Sequence, residues 1–282
     1  MRRATDFRPF LTVDRGFTLV EMIVAIVITG VLVGMVGIFG RRQIEAYFDI
    51  TNRAELSDAA DTALRRIARD LQAALPNSVR NDSANFLEFV PIADAGRYRA
   101  DIGGVAIANN PGCSVQPDDD PLEFPTDPNR SFDVLGPPIK ISAGDRVVIF
   151  NLGQPGSDVY EMSSSRIANT TGGALCKVGF DGAPFPLASP QNRFQIVGAP
   201  ITYECAPPNI VRHRNYGFVD PQPTTFATSH LSEILVDHVE SCTFSYVPAV
   251  LQRNGLVVLR LKLTLNGESV ELLQQVDVLN TP

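Results

Sequence analysis

The sequence lacks the short motifs that mark the common kinds of enzyme active site. It contains no G-x-S-x-G nucleophile turn, no phosphate-binding glycine loop, no H-E-x-x-H zinc pair and no glycine-rich dinucleotide turn after a strand. Its three histidines, His213, His230 and His238, have no spacing typical of paired metal ligands. The simplest interpretation of each is a surface histidine or one held by hydrogen bonds. We therefore expect no enzyme, and we predict no cofactor or metal.

The chain also lacks an excess of basic charge. Its 24 Lys and Arg residues are outnumbered by 31 Asp and Glu residues, which gives a formal net charge of −7. The isoelectric point is near 5.0. A general nucleic-acid-binding surface shows as a basic excess, so we predict no nucleic acid as a partner.

Cysteine is scarce and widely spaced. Metal knuckles and redox motifs use close C-x-x-C pairs, and none is present. An even number of distant cysteines favours disulfides in an oxidising compartment, with buried free thiols as the alternative. Of the three possible pairings we favour Cys205 with Cys242, because one ends a predicted strand and the other opens the next. The remaining disulfide candidates, Cys113 and Cys176, then form the second pair.

No proline occurs between Pro9 and Pro76, so nothing there forces a helix to break. Apolar residues recur at steps of three or four in the second part of this stretch, which predicts an amphipathic helical half over residues 41–75. A continuous helix from Phe17 to Leu75 would measure roughly 88 Å, so we expect its amino-terminal half to protrude from the head. The apolar stripe consists of Leu56, Ala60, Leu64, Ile67, Leu71 and Leu75.

The 19 residues from Met22 to Gly40 carry no charge. As a helix they would span about 28 Å, close to the thickness of a bilayer's hydrocarbon core, which predicts a transmembrane half over residues 17–40. Within it Gly30 and Gly34 form a G-x-x-x-G pair that could let another helix approach closely. The alternative is simple tolerance of glycine in a membrane helix.

A glutamate lies at the amino-terminal end of this apolar segment. The sequence at this point is Arg15-Gly16-Phe17-Thr18-Leu19-Val20-Glu21. A charged side chain in a membrane-spanning segment costs about 2 to 3 kcal/mol, so we expect Glu21 to have a function. Cutting after Gly16 would leave the apolar helix in the mature chain. Phe17 would then carry the terminal amine, one helical turn from Glu21. A plain signal anchor is the alternative.

The segment GFTLVE followed by an apolar run resembles the class III signal of type IV pilins and type II secretion pseudopilins. The resemblance implies that prepilin peptidase removes the leader, residues 1–16, and methylates the amine of Phe17. It implies that Glu21 neutralises the terminal amine of a neighbouring subunit as the helix leaves the bilayer. It further implies a single-pass inner-membrane protein with a periplasmic head, whose partners are major and minor pilins and an inner-membrane assembly platform. In such helices the glycines mark where the helix unwinds in a filament.

After Pro76 the sequence changes to short β-type runs separated by Gly, Pro, Asn and Asp. The last two runs alternate apolar and polar residues around an Asn266-Gly267 turn, so one face of this hairpin should be buried. Its natural partner is the helical stripe. We predict an α+β, pilin-like fold: a long amino-terminal helix packed on an antiparallel sheet, with residues 76–282 as the head. The candidate strands are Phe86 to Val90, Arg146 to Leu152, Phe194 to Cys205, Cys242 to Val247, Leu256 to Leu265 and Ser269 to Leu279.

Residues 103–138 are rich in Pro, Gly and Asp and are predicted to form a long loop. Within it Asp118, Asp119 and Asp120 could contribute to a calcium site, but they lack the spacing of a defined calcium loop, and a solvated acidic turn is the simpler interpretation.

The carboxy-terminal stretches ESCTFSY and RNGLVVLRLKLTLNGESVELLQQVDVLN resemble O-type minor pilins (MshO) of mannose-sensitive haemagglutinin (MSHA) pili. The large minor pilins called PilW and the J-type pseudopilins are related. The resemblance implies a subunit at or near a filament tip that primes assembly. Three alternatives stay open: a type II secretion pseudopilin, a tip adhesin that binds through the 103–138 loop, and a tethered periplasmic enzyme.

Overall fold

The computed structural model describes residues 16–102, 113, 120–126, 130–163, 165–248 and 254–280. The long helix α1 runs over Leu19–Gln72, 54 residues, or about 81 Å at the usual helical rise. It is shorter than the predicted Phe17 to Leu75 at both ends. Contacts divide the chain into two compact units, Met1–Asn52 and Arg53–Pro282.

The second unit contains the carboxy-terminal part of α1 and all of the β-structure in the described residues. The strands are β1 Arg80–Ser83, β2 Phe86–Phe89, β3 Ile92–Tyr98, β4 Ser131–Leu135, β5 Ile139–Ile141, β6 Arg146–Val148, β7 Arg166–Ala168, β8 Gly172–Leu175, β9 Lys177–Gly182, β10 Arg193–Val197, β11 Ile201–Ala206, β12 Asn209–Arg214, β13 Leu231–Val236, β14 Val239–Val247, β15 Gly255–Leu265 and β16 Glu268–Val278.

These strands form four sheets. One has the order β1-β2-β11-β12-β13, one is the meander β14-β15-β16, and β5 pairs with β8. The other six strands, β10-β3-β4-β9-β7-β6, close into a small barrel. Every pair for which a register is defined is antiparallel, and closure leaves the barrel strands without open edges.

The first hydrophobic core lies between the carboxy-terminal part of α1, the five-stranded sheet and the meander. Leu64, Ile67 and Leu71 are buried on one face of α1, and Leu259 and Leu261 of β15 belong to the same cluster. All six residues of the predicted helical stripe are buried. The prediction of an α+β arrangement, with a long apolar helix followed by antiparallel sheets, is therefore confirmed.

The β15–β16 hairpin has the register that the sequence predicts. Leu265 pairs with Glu268, so the two-residue loop is Asn266-Gly267. Both loop residues have positive φ angles, 53° and 89°, as a type I′ turn requires. This turn fixes the strand register that places Leu259 and Leu261 on the buried face.

The second core fills the barrel with aromatic side chains. The rings of Phe132 and Phe194 meet edge to face with centroids 5.0 Å apart, and Phe180 lies beside Phe132. Gly96 of β3 is required by this packing, because a Cβ atom there would lie 2.9 Å from the Phe194 ring. The sequence analysis did not predict a barrel or a second core.

Two predicted strands have different bounds in the structure. The run from Phe194 to Cys205 is two strands, β10 and β11, separated by residues 198–200, where Pro200 lacks an N–H for the ladder. The run from Arg146 to Leu152 ends as a strand at Val148, and Phe150 has a φ angle of 53°.

The predicted loop over residues 103–138 is also partly wrong, because it contains β4. Phe132 and Val134 of this strand are buried in the barrel core, which explains why the chain is extended there despite the prolines on either side. Residues 103–112 and 114–119, including Asp118 and Asp119, lie outside the described residues.

Candidate functional site

Thr18 determines where α1 begins. The Glu21 N–H donates to Thr18 Oγ1 at 3.3 Å, and the Met22 N–H donates to the Thr18 carbonyl at 3.2 Å. These are the bonds of a helix N-cap, and Thr18-Leu19-Val20-Glu21 has the T-x-x-E pattern of a capping box. The sequence analysis missed Thr18, although this local pattern could have identified it. The cap places Glu21 at the third helical position.

Glu21 is an exposed carboxylate in the first turn of α1, where it interacts favourably with the positive end of the helix dipole. Phe17 lies before the helix. The predicted helical relation between Phe17 and Glu21 concerns the chain cut after Gly16 and stays a prediction. In this precursor the Thr18 cap begins the helix after Phe17, and the Phe17 nitrogen is a neutral amide joined to Gly16.

The first part of α1 has the length and composition of a membrane span. An 18-residue window reaches a mean hydropathy of 2.7, and none of it is buried by the rest of the chain. Within the described ranges, α1 is the one helix that meets these criteria. A long, exposed and apolar helical surface fits a single membrane span.

Residues 12–37 match the family described as the prokaryotic N-terminal methylation motif. The matched range contains Gly16, Phe17 and Glu21. The motif supports a type IV pilin-like protein, a structural subunit rather than an enzyme. It implies processing by prepilin peptidase and assembly with other pilins in a membrane system. Searches of curated proteins and of solved structures found no match.

Two disulfides tie the head together. Cys205 of β11 is bonded to Cys242 of β14, with 5.8 Å between their Cα atoms, and so links the five-stranded sheet to the meander. Cys113 is bonded to Cys176, with 5.1 Å between Cα atoms. This is the pairing that the sequence favours. It fits an oxidising compartment such as the periplasm.

Two of the three histidines lie together, which their spacing did not indicate, and both are held by hydrogen bonds. His213 Nε2 is 2.8 Å from Glu204 Oε2, and His213 Nδ1 is 3.0 Å from His230 Nε2. His230 Nδ1 in turn contacts the Ala227 carbonyl. The Phe226 ring stacks on His213 with centroids 4.0 Å apart. These contacts attach the segment after β12 to the sheet.

The histidine cluster is not arranged to hold one metal ion. Glu204 and His230 lie at opposite nitrogens of the His213 ring, so the three groups do not converge. Among the residues described, no group of three or more His, Cys, Asp or Glu side chains has metal-binding geometry. His238 lies elsewhere, against the Asp237 carboxylate.

His213 is the titratable group of this cluster that is buried, and it lies between the Glu204 carboxylate and the His230 ring. Burial, partly opposed by Glu204, lowers the pKa of His213 below its ordinary value.

We expect the His213→Gln variant to have a flatter pH dependence of unfolding than the natural chain. Because the folded pKa of His213 is lowered, the unfolded state binds more protons below about pH 6.5, and the free energy of unfolding should fall as pH drops. The slope for one group is at most about 1.4 kcal/mol per pH unit. Urea midpoints measured from pH 8 to about 5 test this, with exposed His238→Gln as the control. Equal slopes in all three proteins would contradict it.

Glu88 is a second buried titratable group that the sequence did not indicate. It is fully buried in β2, contacts Arg80, and accepts a hydrogen bond from the Tyr216 hydroxyl at 2.7 Å. Burial raises the pKa of Glu88, and the bond to Arg80 opposes this. Thr202 Oγ1 lies 2.7 Å from the same Tyr216 hydroxyl. These groups hold the segment after β12 onto the sheet and so have a structural role.

Asp120, the described member of the acidic triplet, is a structural residue. It is 7% exposed, its carboxylate lies 2.8 Å from Lys177 Nζ, and it also accepts a hydrogen bond from the Ser131 hydroxyl. These partners place Asp120 against β4 and β9 rather than in a solvated acidic turn.

Proposed function

We propose that this chain is a minor pilin of an MSHA-like type IV pilus, incorporated near the filament tip, where it primes assembly. The match of residues 12–37 to the N-terminal methylation motif carries this proposal. A disulfide-tied, β-rich head behind a membrane-length helix adds support. The same motif is compatible with a type II secretion minor pseudopilin, and the resemblance of the carboxy-terminal strands favours the pilus.

The proposed maturation begins at the Gly16–Phe17 peptide bond. Both residues are exposed and lie before the first helical residue, so a peptidase can reach the bond without unwinding α1. Cleavage removes residues 1–16 and creates an amine at Phe17, which is then methylated. The helix remains attached to the head, with residues 17–40 in the inner membrane, residues 41–75 leading into the periplasm and residues 76–282 as the head.

After cleavage, Glu21 can neutralise the positive charge of a Phe17 amine. In the precursor no terminal amine exists at Phe17, whereas each mature subunit carries one at the end of an apolar helix. An unpaired charge in an apolar environment is unfavourable, and an opposite charge nearby reduces this penalty. Pairing of Glu21 with the Phe17 amine of a neighbouring subunit would therefore favour entry of the helix into the filament. The assembly partners are other major and minor pilins and the inner-membrane assembly platform.

Mass spectrometry tests the maturation step. When the chain is co-expressed with prepilin peptidase and extracted from membranes, we expect the mass of residues 17–282 plus one methyl group. Without the peptidase we expect the full 282-residue chain. The Gly16→Leu variant should stay uncut because a bulky side chain then directly precedes the peptide bond to be cut. The Gly37→Leu variant should be processed normally. A full-length mass for the natural chain in the presence of active peptidase would exclude this function.

A further inference from the structure

Two buried arginines line one cleft in the head. Arg146 of β6 and Arg166 of β7 lie on paired barrel strands and are 6% and 7% exposed. The cleft has an empty volume of about 300 Å³, including its open mouth, and Ser165 and Phe185 also line it. The described residues that line it include no member of the histidine cluster.

Both guanidinium groups are held in place by main-chain carbonyls and aromatic rings. Arg166 Nη2 donates to the Pro184 carbonyl at 2.8 Å and to the Gly156 carbonyl at 3.1 Å. Arg146 Nη1 donates to the Val159 carbonyl at 2.8 Å, and its guanidinium lies 3.6 Å from the centre of the Phe218 ring. In the described part of the chain, no carboxylate is hydrogen-bonded to Arg146 or Arg166.

Two acidic groups lie at or near the cleft: Asp158 lines it, and Glu161 interacts electrostatically with Arg166. Asp158 accepts a hydrogen bond from the Tyr160 N–H, and Glu161 accepts one from the Gly156 N–H. Burial is the main influence that lowers the pKa of each arginine to about 10; for Arg166, Glu161 opposes the shift and Arg130 adds to it. Both arginines still carry their charge at neutral pH. Two buried cations without a hydrogen-bonded carboxylate are an unusual and costly arrangement.

Ser165 gives an independent indication of a missing ligand. Its hydroxyl oxygen is buried and has no hydrogen-bond partner among the described residues. A buried hydroxyl without a partner is unfavourable, and most such groups in folded proteins are paired. Ser165 precedes Arg166 and lines the same cleft, so its hydroxyl is available to a ligand bound there.

We propose that this cleft binds a small oxyanion of the carboxylate or phosphate class. Guanidinium groups are well suited to such oxygens because they offer several N–H donors in a plane. Hydrogen bonds to main-chain carbonyls already fix both arginine side chains, so less side-chain entropy is lost when the ligand binds. The cleft is small, so the ligand is a free small anion or a single acidic group of a larger molecule.

Equilibrium dialysis of the full chain in detergent tests the site, with radiolabelled inorganic phosphate as the probe. We expect one saturable phosphate per chain. Acetate that competes with phosphate would indicate recognition shared with carboxylates, and acetate without effect would indicate a site specific for phosphate. Absence of saturable binding up to about 10 mM phosphate would overturn the proposal. None of these outcomes depends on leader cleavage, so the result is separate from the pilin proposal.

The Ser165→Ala variant separates a ligand site from a purely structural arginine pair. Because this hydroxyl makes no hydrogen bond to the residues that the structure describes, its removal should leave the melting temperature unchanged or slightly raised. Phosphate affinity should fall about tenfold, the usual size of a lost hydrogen bond to a charged group. The exposed Ser245→Ala change in β14 is the matched control and should bind normally. Equal phosphate affinity in the natural chain and Ser165→Ala would also overturn the proposal.

Discussion

Replacing Glu21 with alanine should reduce the amount of this chain in sheared filaments by at least tenfold, without reducing its amount in the membrane. The variant lacks the carboxylate that would neutralise a neighbouring Phe17 amine, so entry into the filament leaves a charge unpaired among apolar helices. A difference of 1.4 kcal/mol already changes an equilibrium tenfold, and a charge at the centre of a membrane helix costs about 2 to 3 kcal/mol. Quantitative immunoblotting of filament and membrane fractions measures both quantities.

The control for this experiment is Glu55→Ala. Glu55 is an exposed carboxylate on the same helix, beyond the apolar segment, so its removal should leave incorporation unchanged. Glu21→Gln should behave like Glu21→Ala, because the side chain keeps its shape but loses its charge. Normal incorporation of both Glu21 variants would mean that charge pairing does not drive assembly. A loss of membrane abundance would instead indicate failed insertion or degradation.

The amino-terminal segment could be recognised from sequence because its chemistry lies within a few consecutive residues. Gly16, Glu21 and the apolar run are neighbours in the chain, and no tertiary contact is needed to bring them together. The first residue of the helix was harder to predict from the sequence. Thr18 accepts the Glu21 N–H and makes Leu19 the first helical residue, whereas periodicity alone gave no reason to exclude Phe17.

The head was only partly predictable because its two cores have different sequence signals. The meander uses long strands with clear alternation and an Asn-Gly turn, so β15 and β16 were found nearly complete. The barrel includes three-residue strands such as β6 and β7, which are too short to show a period. It also pairs β3 with β10, almost 100 residues later in the chain, and such distant pairing leaves no local pattern.

The histidine cluster and the arginine cleft were missed for a related reason. His213 lies on a strand and His230 in the segment before the next strand, 17 residues later, a separation that matches no metal or helix pattern. Arg146 and Arg166 line one cleft because β6 pairs with β7 in the barrel. Each residue alone resembles an ordinary polar position, and only the closed sheet shows that both arginines are buried beside the same cleft.

Packing of the carboxy-terminal part of α1 on the sheets should contribute strongly to the stability of the head. Leu71 is fully buried in the first core, where it packs in the cluster that contains β15 and the Cys205–Cys242 disulfide. We expect Leu71→Ala to lower the free energy of unfolding by about 3 to 5 kcal/mol, because the change removes apolar burial and leaves a cavity. For a head of this size, that corresponds to a melting temperature roughly 10 °C lower. Since the chain has no tryptophan, tyrosine fluorescence is the suitable probe.

Leu273→Ala is the matched control, the same substitution on the outer face of β16, where the side chain is 52% exposed. It should lower the free energy of unfolding by less than about 1 kcal/mol, because a half-exposed side chain loses little burial and leaves no cavity. If both variants melted at the same temperature, α1 would not be packed on the sheets as described. A large effect confined to Leu71 would instead mean that the helix is part of the folded head.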